Sequence, residues 1–168
     1  QPRAVRRAAV ILLTSNRGLA GGFNANLIKE ARQRIADLEG RGVRVDLHVV
    51  GRKGIGFFRY VNRALATQRT DIGDRPSADE AASLVDALMA DFVSGALDAV
   101  YVVHAKFNSA LSTPPTALQV LPVQPPAGEK AVQRDYLLSP SPEEILEQLL
   151  PSYVRNSVYR ALVETAAA

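Results

Sequence analysis

The chain has 168 residues, 47% of them apolar and 22% charged, with a formal net charge of +3 and no cysteine. That length carries one core of ordinary size, and the composition excludes intrinsic disorder, disulfide frameworks, thiolate nucleophiles and sulfur-ligated zinc. The sequence pI near 9.4 comes from surplus arginine; Arg3, Arg6 and Arg7 are too short an array for a nucleic-acid arm, and the scattered aromatics offer no stacking platform.

The first element expected is a strand, because Ala8 to Leu13 is a continuous apolar run of strand length followed by turn residues. Ahead of it the chain opens on Gln1 rather than Met, which suggests a preceding segment cut away, and the run is too short for a signal peptide or a bilayer crossing. An intracellular, reducing location fits the lack of cysteine. The strand ends in "LTSNRGLAGGFN", a glycine-rich turn. From Asn24 to Glu39, Leu27, Ile28, Ala31, Ile35 and Leu38 recur at three- and four-residue steps, with Lys29, Glu30, Arg32, Arg34 and Asp37 opposite. This is an amphipathic helix, stopped by Gly40 and Gly42.

Val43 to Val50 alternates before turning apolar, as a strand nearer an edge does. "GRKGIGFFRYV" at Gly51 to Val61 reads as a turn and a short helix, and Ala64 to Arg69 as a brief third strand. Ser77 and Glu80 form a capping box for a helix whose buried stripe runs from Ala81 to Val93 and ends at Gly95. Ala99 to Val103 is the next buried strand. Lys106 to Val123, with Pro114 and Pro115, is extended chain turning back along the sheet edge, where proline is tolerated. Gln124 to Arg134 reads as an exposed loop. Ser141-Pro142-Glu143-Glu144 starts a last helix that continues past Pro151 with a kink and shows no stop signal at "VETAAA", as if severed. The rhythm predicts an α/β fold: a Rossmann-like open, mostly parallel sheet of about five strands with helices on both faces, plus the start of a long C-terminal helix. Residues 1–140 form the α/β domain in this reading and 141–168 the helix start.

Sites of chemistry are scarce. Gly18, Gly21 and Gly22 do not match the dinucleotide fingerprint, and no acid closes the second strand, where Val50 precedes Gly51 and Arg52. "GRKGIG" lacks the hydroxyl that follows lysine in a phosphate loop. Tight turning and close helix–strand contact explain such glycines better than phosphate does. His48 and His104 lack metal-ligand neighbours and read as strand residues with satisfied rings; Ser15 and Ser109 lack a nucleophile elbow; Asp79/Glu80 and Glu143/Glu144 belong to helix starts. No catalytic residue, cofactor or metal is expected. Arg17, Lys29 and Arg32 stand out instead: Arg17 leaves the turn, and the other two lie three apart on the exposed helix side, open either to solvent or to an acidic partner.

At "SNRGLAGGFN" the chain resembles the gamma-subunit family of F-type ATP synthases, whose turn reads S-D-R-G-L-C-G-G-x-N. "GVRVDLHVVGRKGIGFF", "VYVVHAKFNSALSTPPTALQVLP" and "DYLLSPSPEEILEQLLPSYVRNSVYRALVE" agree in order, so the resemblance covers the chain. Asn16 replaces the usual Asp, Ala20 stands where many members have Cys, the cysteine-bearing regulatory insert is absent, and the two terminal shaft helices are missing. The resemblance implies a non-catalytic central-stalk rotor, peripheral to the cytoplasmic face of a bacterial membrane, with alpha, beta and epsilon subunits and the c ring as partners. It places Arg17, Lys29 and Arg32 against acidic segments of the catalytic subunits, and Tyr136, Leu137 and Leu138 near the c ring and epsilon. The alternative is a small nucleotide- or phosphate-binding α/β enzyme using the Gly18–Gly22 turn.

Overall fold

The computed structural model describes residues 4–16, 23–73, 75–108, 112–123 and 142–167, with the backbone alone for 142–148. Its elements are β1 (Arg7–Leu13), α1 (Phe23–Gly40), β2 (Arg44–Val50), α2 (Arg52–Tyr60), β3 (Thr67–Arg69), α3 (Ala78–Ser94), β4 (Ala99–Ala105), β5 (Pro115–Leu121) and α4 (Pro142–Ala167). The strands form one sheet in the order β3-β2-β1-β4-β5. All pairings are parallel except β4 with β5, so the proline-bounded segment does run back along the edge.

β1 is the central strand because it can be covered on both sides. From Ala8 to Leu13 every residue is buried, and alternate residues feed opposite cores. Ala8, Val10 and Leu12 meet the apolar stripe of α1 (Leu27, Ile28, Ala31, Ile35, Leu38) and Ile55 and Phe58 of α2. Ala9, Ile11 and Leu13 meet Ala81, Val85 and Leu88 of α3 and Val154, Val158 and Leu162 of α4. Each Val, Leu, Ile or Phe side chain among them contributes about 1.5–3 kcal/mol when fully buried, which makes the two-sided sheet the dominant stabilising feature.

Local sequence fixes the element ends. Ser77 Oγ accepts from the Glu80 amide at 3.1 Å while the Glu80 carboxylate accepts from the Ser77 amide at 3.0 Å, the expected reciprocal cap. Gly95 ends α3 in the left-handed region at φ +89°. α4 runs unbroken through Pro151, and its far end is pinned to the sheet where Thr165 Oγ1 accepts from the Ala105 amide at 3.1 Å. Arg155 makes two bonds to Asp86, at 2.8 and 3.0 Å, and ties α4 to α3. At the other end of the sheet Arg7, from the N-terminal arginine group, is held by Asp46 at 2.8 Å.

Candidate functional site

An open parallel sheet accepts ligands at the carboxyl ends of its strands, where the strand order reverses. Here that point is the end of β1, between β2 and β4. Thr14, Ser15 and Asn16 leave β1 there and turn toward the start of α2. Asn16 Oδ1 accepts from the Arg52 amide at 3.0 Å, the Ser15 carbonyl from the Lys53 amide at 3.1 Å, and Thr14 Oγ1 from the Gly54 amide at 3.0 Å. The first three amides of α2, which would otherwise be free to grip a phosphate, are thus spent inside the protein.

The glycines of "GRKGIG" explain this closeness. Gly51 has φ +99°, and a Cβ on it would collide with the Thr14 backbone; a Cβ on Gly54 would stand 2.7 Å from Val49 Cγ1. Gly51 and Gly54 are packing glycines, as the sequence pattern suggested, whereas a Cβ on Gly56 would meet nothing within 4 Å. Asn16 does a second job, since its Nδ2 donates to the Thr70 carbonyl at 2.9 Å. An aspartate could accept from Arg52 but could not make that donation. The crevice beside these residues holds about 60 Å³ and is walled by Leu162, Thr165 and Ala166 of α4.

Both histidines are held within the fold, each largely out of solvent. His104 is buried under α4; its Nδ1 lies 3.2 Å from the Ala105 carbonyl and 3.9 Å from Glu164. Burial holds its pKa below the ordinary histidine value, against the pull of the Ala105 carbonyl and Glu164. His48 bonds Thr67 Oγ1 through Nδ1 at 2.8 Å, but its buried Nε2 has no partner, which corrects the expectation of a satisfied ring. Burial lowers its pKa too, more than Asp46 raises it. Among the described residues no group of three or more His, Asp or Glu could hold a metal ion.

The cations stand on the opposite helical layer. Lys29 and Arg32 are exposed on α1, set there because the positions around them bury Leu27, Ile28 and Ala31. The Arg32 guanidinium lies 5.2 Å from the Phe57 ring centroid, a cation–π contact that joins α1 to α2. Between the two helices runs an open groove of about 760 Å³ whose lining includes Ile28, Lys29, Arg32, Lys53 and Phe57. Lys53 and Phe57 were not among the candidates; their signal was an i,i+4 pair on one face of α2. Arg17, the Gly18–Gly22 turn, Tyr136, Leu137 and Leu138 lie outside the described residues.

The whole chain, residues 1–168, matches a family model described as ATP synthase. It is 64% identical over 169 residues to the ATP synthase gamma chain of Gemmatimonas aurantiaca, an alignment covering 99% of this chain and 58% of the relative. It is 41% identical to that of Frankia casuarinae, covering 96% and 57%. The chain therefore spans under three-fifths of the length of these relatives. Among solved structures, a central stalk/c-ring chain from the Tetrahymena thermophila mitochondrial ATP synthase superposes with a TM-score of 0.69 at 22% identity, covering 99% of this chain and 73% of that one. A chain of the Euglena gracilis mitochondrial ATP synthase gives 0.61 at 14% identity, covering 96% and 55%. At these identities the structural likeness speaks to the fold.

Proposed function

The chain belongs to the ATP synthase gamma-chain family, and from that premise we propose that it forms the globular body of a rotor subunit. In this role it passes torque between a membrane ring of c subunits and the catalytic alpha and beta subunits, with epsilon beside it, and carries no reacting group of its own. Residues 1–140 are the body and 141–168 the beginning of the helix that leads to the shaft. The complex holds it peripherally, at the cytoplasmic face of a bacterial membrane.

The observation that carries this reading is the gamma-chain identity that runs along the whole sequence. The start of α2 fits it, because its first amides are already taken by Asn16, Ser15 and Thr14 inside the protein. Arg17, Lys29 and Arg32 face acidic segments of the catalytic subunits; exposed ion pairs of this kind are individually weak, so they break and reform as the rotor turns. Tyr136, Leu137 and Leu138 form the contact at the c ring and epsilon.

Two measurements test the role. The full-length polypeptide co-purifies with alpha, beta and epsilon subunits, and calorimetric titration of the free polypeptide with ATP or NAD gives no saturable heat. Saturable nucleotide binding together with failure to assemble would replace the rotor by the nucleotide-binding alternative.

A further inference from the structure

We propose that the recess between α4 and the β4–β5 side of the sheet binds free orthophosphate, with Lys106 and Arg160 holding its anionic oxygens and His104 Nε2 and the Glu164 carboxylate accepting from its hydroxyl. The recess shares no residue with the crevice at the end of β1, and the inference stands apart from the rotor reading.

The buried imidazole sets the first requirement. The recess holds about 250 Å³, and its lining includes His104 of β4, Lys106 just beyond it, and Ser157, Arg160 and Glu164 of α4. The His104 side chain is only 5% exposed. Its Nδ1 lies 3.2 Å from the Ala105 carbonyl and 3.9 Å from Glu164 Oε1; both of these can only accept, so Nδ1 carries the ring hydrogen. Burial, with Lys106 adding to it, outweighs those two acceptors and holds the pKa below the ordinary histidine value, which keeps the ring neutral at pH 7. The other nitrogen, Nε2, is then a bare acceptor with no hydrogen-bond partner among the described residues, and unlike Nε2 of His48 it is not sealed in the interior. It asks for a hydrogen from whatever fills the recess.

Charge sets the second. Lys106 and Arg160 are exposed, come from different parts of the fold and make no ion pair among the described residues. Two unopposed cations on one recess call for an anion. The Ser157 hydroxyl adds no donor, because it donates to the Tyr153 carbonyl at 3.0 Å. Glu164 and His104 Nε2, for their part, present lone pairs that repel the oxygens of a fully deprotonated anion. One ligand suits all four groups only if it is an anion that brings its own hydrogen. Orthophosphate keeps at least one hydroxyl near neutral pH, whereas sulfate has the same shape and none. A hydroxy acid such as glycolate has the hydroxyl but a single negative charge for two cations. The volume is below the about 300–1,000 Å³ of sites for drug-sized ligands, which suits a small ion with part of its hydration and not a nucleotide. An ion held there joins β4 to α4 beside Thr165, which pins the helix to the sheet, so binding stabilises the docked helix by linkage.

The test titrates the full-length polypeptide with inorganic phosphate, sulfate and glycolate at pH 7 and equal ionic strength, by calorimetry and by the thermal midpoint. Phosphate is expected to bind at one site about tenfold more tightly than either rival, and to raise the midpoint where sulfate does not. Lys106→Gln and Arg160→Gln, both at exposed positions, each weaken phosphate about tenfold. Glu164→Gln replaces a group that can only accept by an amide that also donates, and it narrows the gap between phosphate and sulfate. Equal affinity for phosphate and sulfate, both weakened by the Lys106 and Arg160 substitutions, reduces the recess to a general anion patch and overturns the proposal. Phosphate binding that ignores those substitutions lies elsewhere on the chain and overturns it as well. Glycolate binding as tightly as phosphate, or no saturable heat and no midpoint shift with phosphate, has the same consequence.

Discussion

Thr14 is the smallest unit on which the fold depends. Its hydroxyl donates to the Val50 carbonyl at 2.7 Å and accepts from the Gly54 amide at 3.0 Å, so one buried group joins β1, β2 and α2. Thr14→Val keeps the shape and leaves the Gly54 amide without its partner, which costs about 1–3 kcal/mol. A shift of the urea midpoint to lower concentration with an unchanged slope is the expected result. The two histidines set the acid side of the stability profile. Both are held below the ordinary histidine value of about 6.5 in the folded chain, so the unfolded chain binds protons first. Their stabilising contribution is complete above pH 6.5 and is lost as pH falls from there through the folded-state values. Denaturation midpoints measured between about pH 7.5 and 5 should therefore decline, and His48→Leu should flatten part of that decline by removing a buried ring nitrogen that has no partner.

At the scale of elements, the capping box makes a direct prediction: Ser77→Ala removes the acceptor for the Glu80 amide and lowers stability by about 1 kcal/mol, read by thermal or urea unfolding. That box was legible because all its parts lie within four residues. The same holds for β1, α1 and β4, whose periodicity is a local property of the sequence and whose observed spans differ from expectation by one or two residues. β3 came out shorter, Thr67–Arg69 instead of Ala64–Arg69, because it pairs only with His48, Val49 and Val50 at the end of β2. The antiparallel edge strand was readable from its prolines. The groove was not: Arg32 and Phe57 are 25 positions apart, and their meeting depends on how α1 and α2 settle on one face of the sheet. Lys29 and Arg32 could be found from helical spacing alone, whereas Lys53 gains its meaning only once α2 is placed. His48 shows the same limit, since the sequence puts it on a strand but does not reveal which neighbours its two nitrogens reach.

For the whole molecule, the sheet separates two layers with different parts in the proposed role. α3 and α4 pack against one face through Val85, Leu88, Val154 and Val158, and lock the C-terminal helix to the body. α1 and α2 cover the other face and present the exposed cations. A body that transmits force has to be stiff between its contact points, and a close-packed sheet with buried side chains on both faces supplies that stiffness. The direct test of the coupling role is ion pumping per ATP hydrolysed in an assembled complex whose Arg17, Lys29 and Arg32 are all replaced by Glu. Charge reversal turns attraction for acidic segments into repulsion, so pumping per ATP should fall several-fold while the complex still assembles. A complex that assembles and pumps at the unsubstituted ratio would contradict the assignment of these cations to torque transfer.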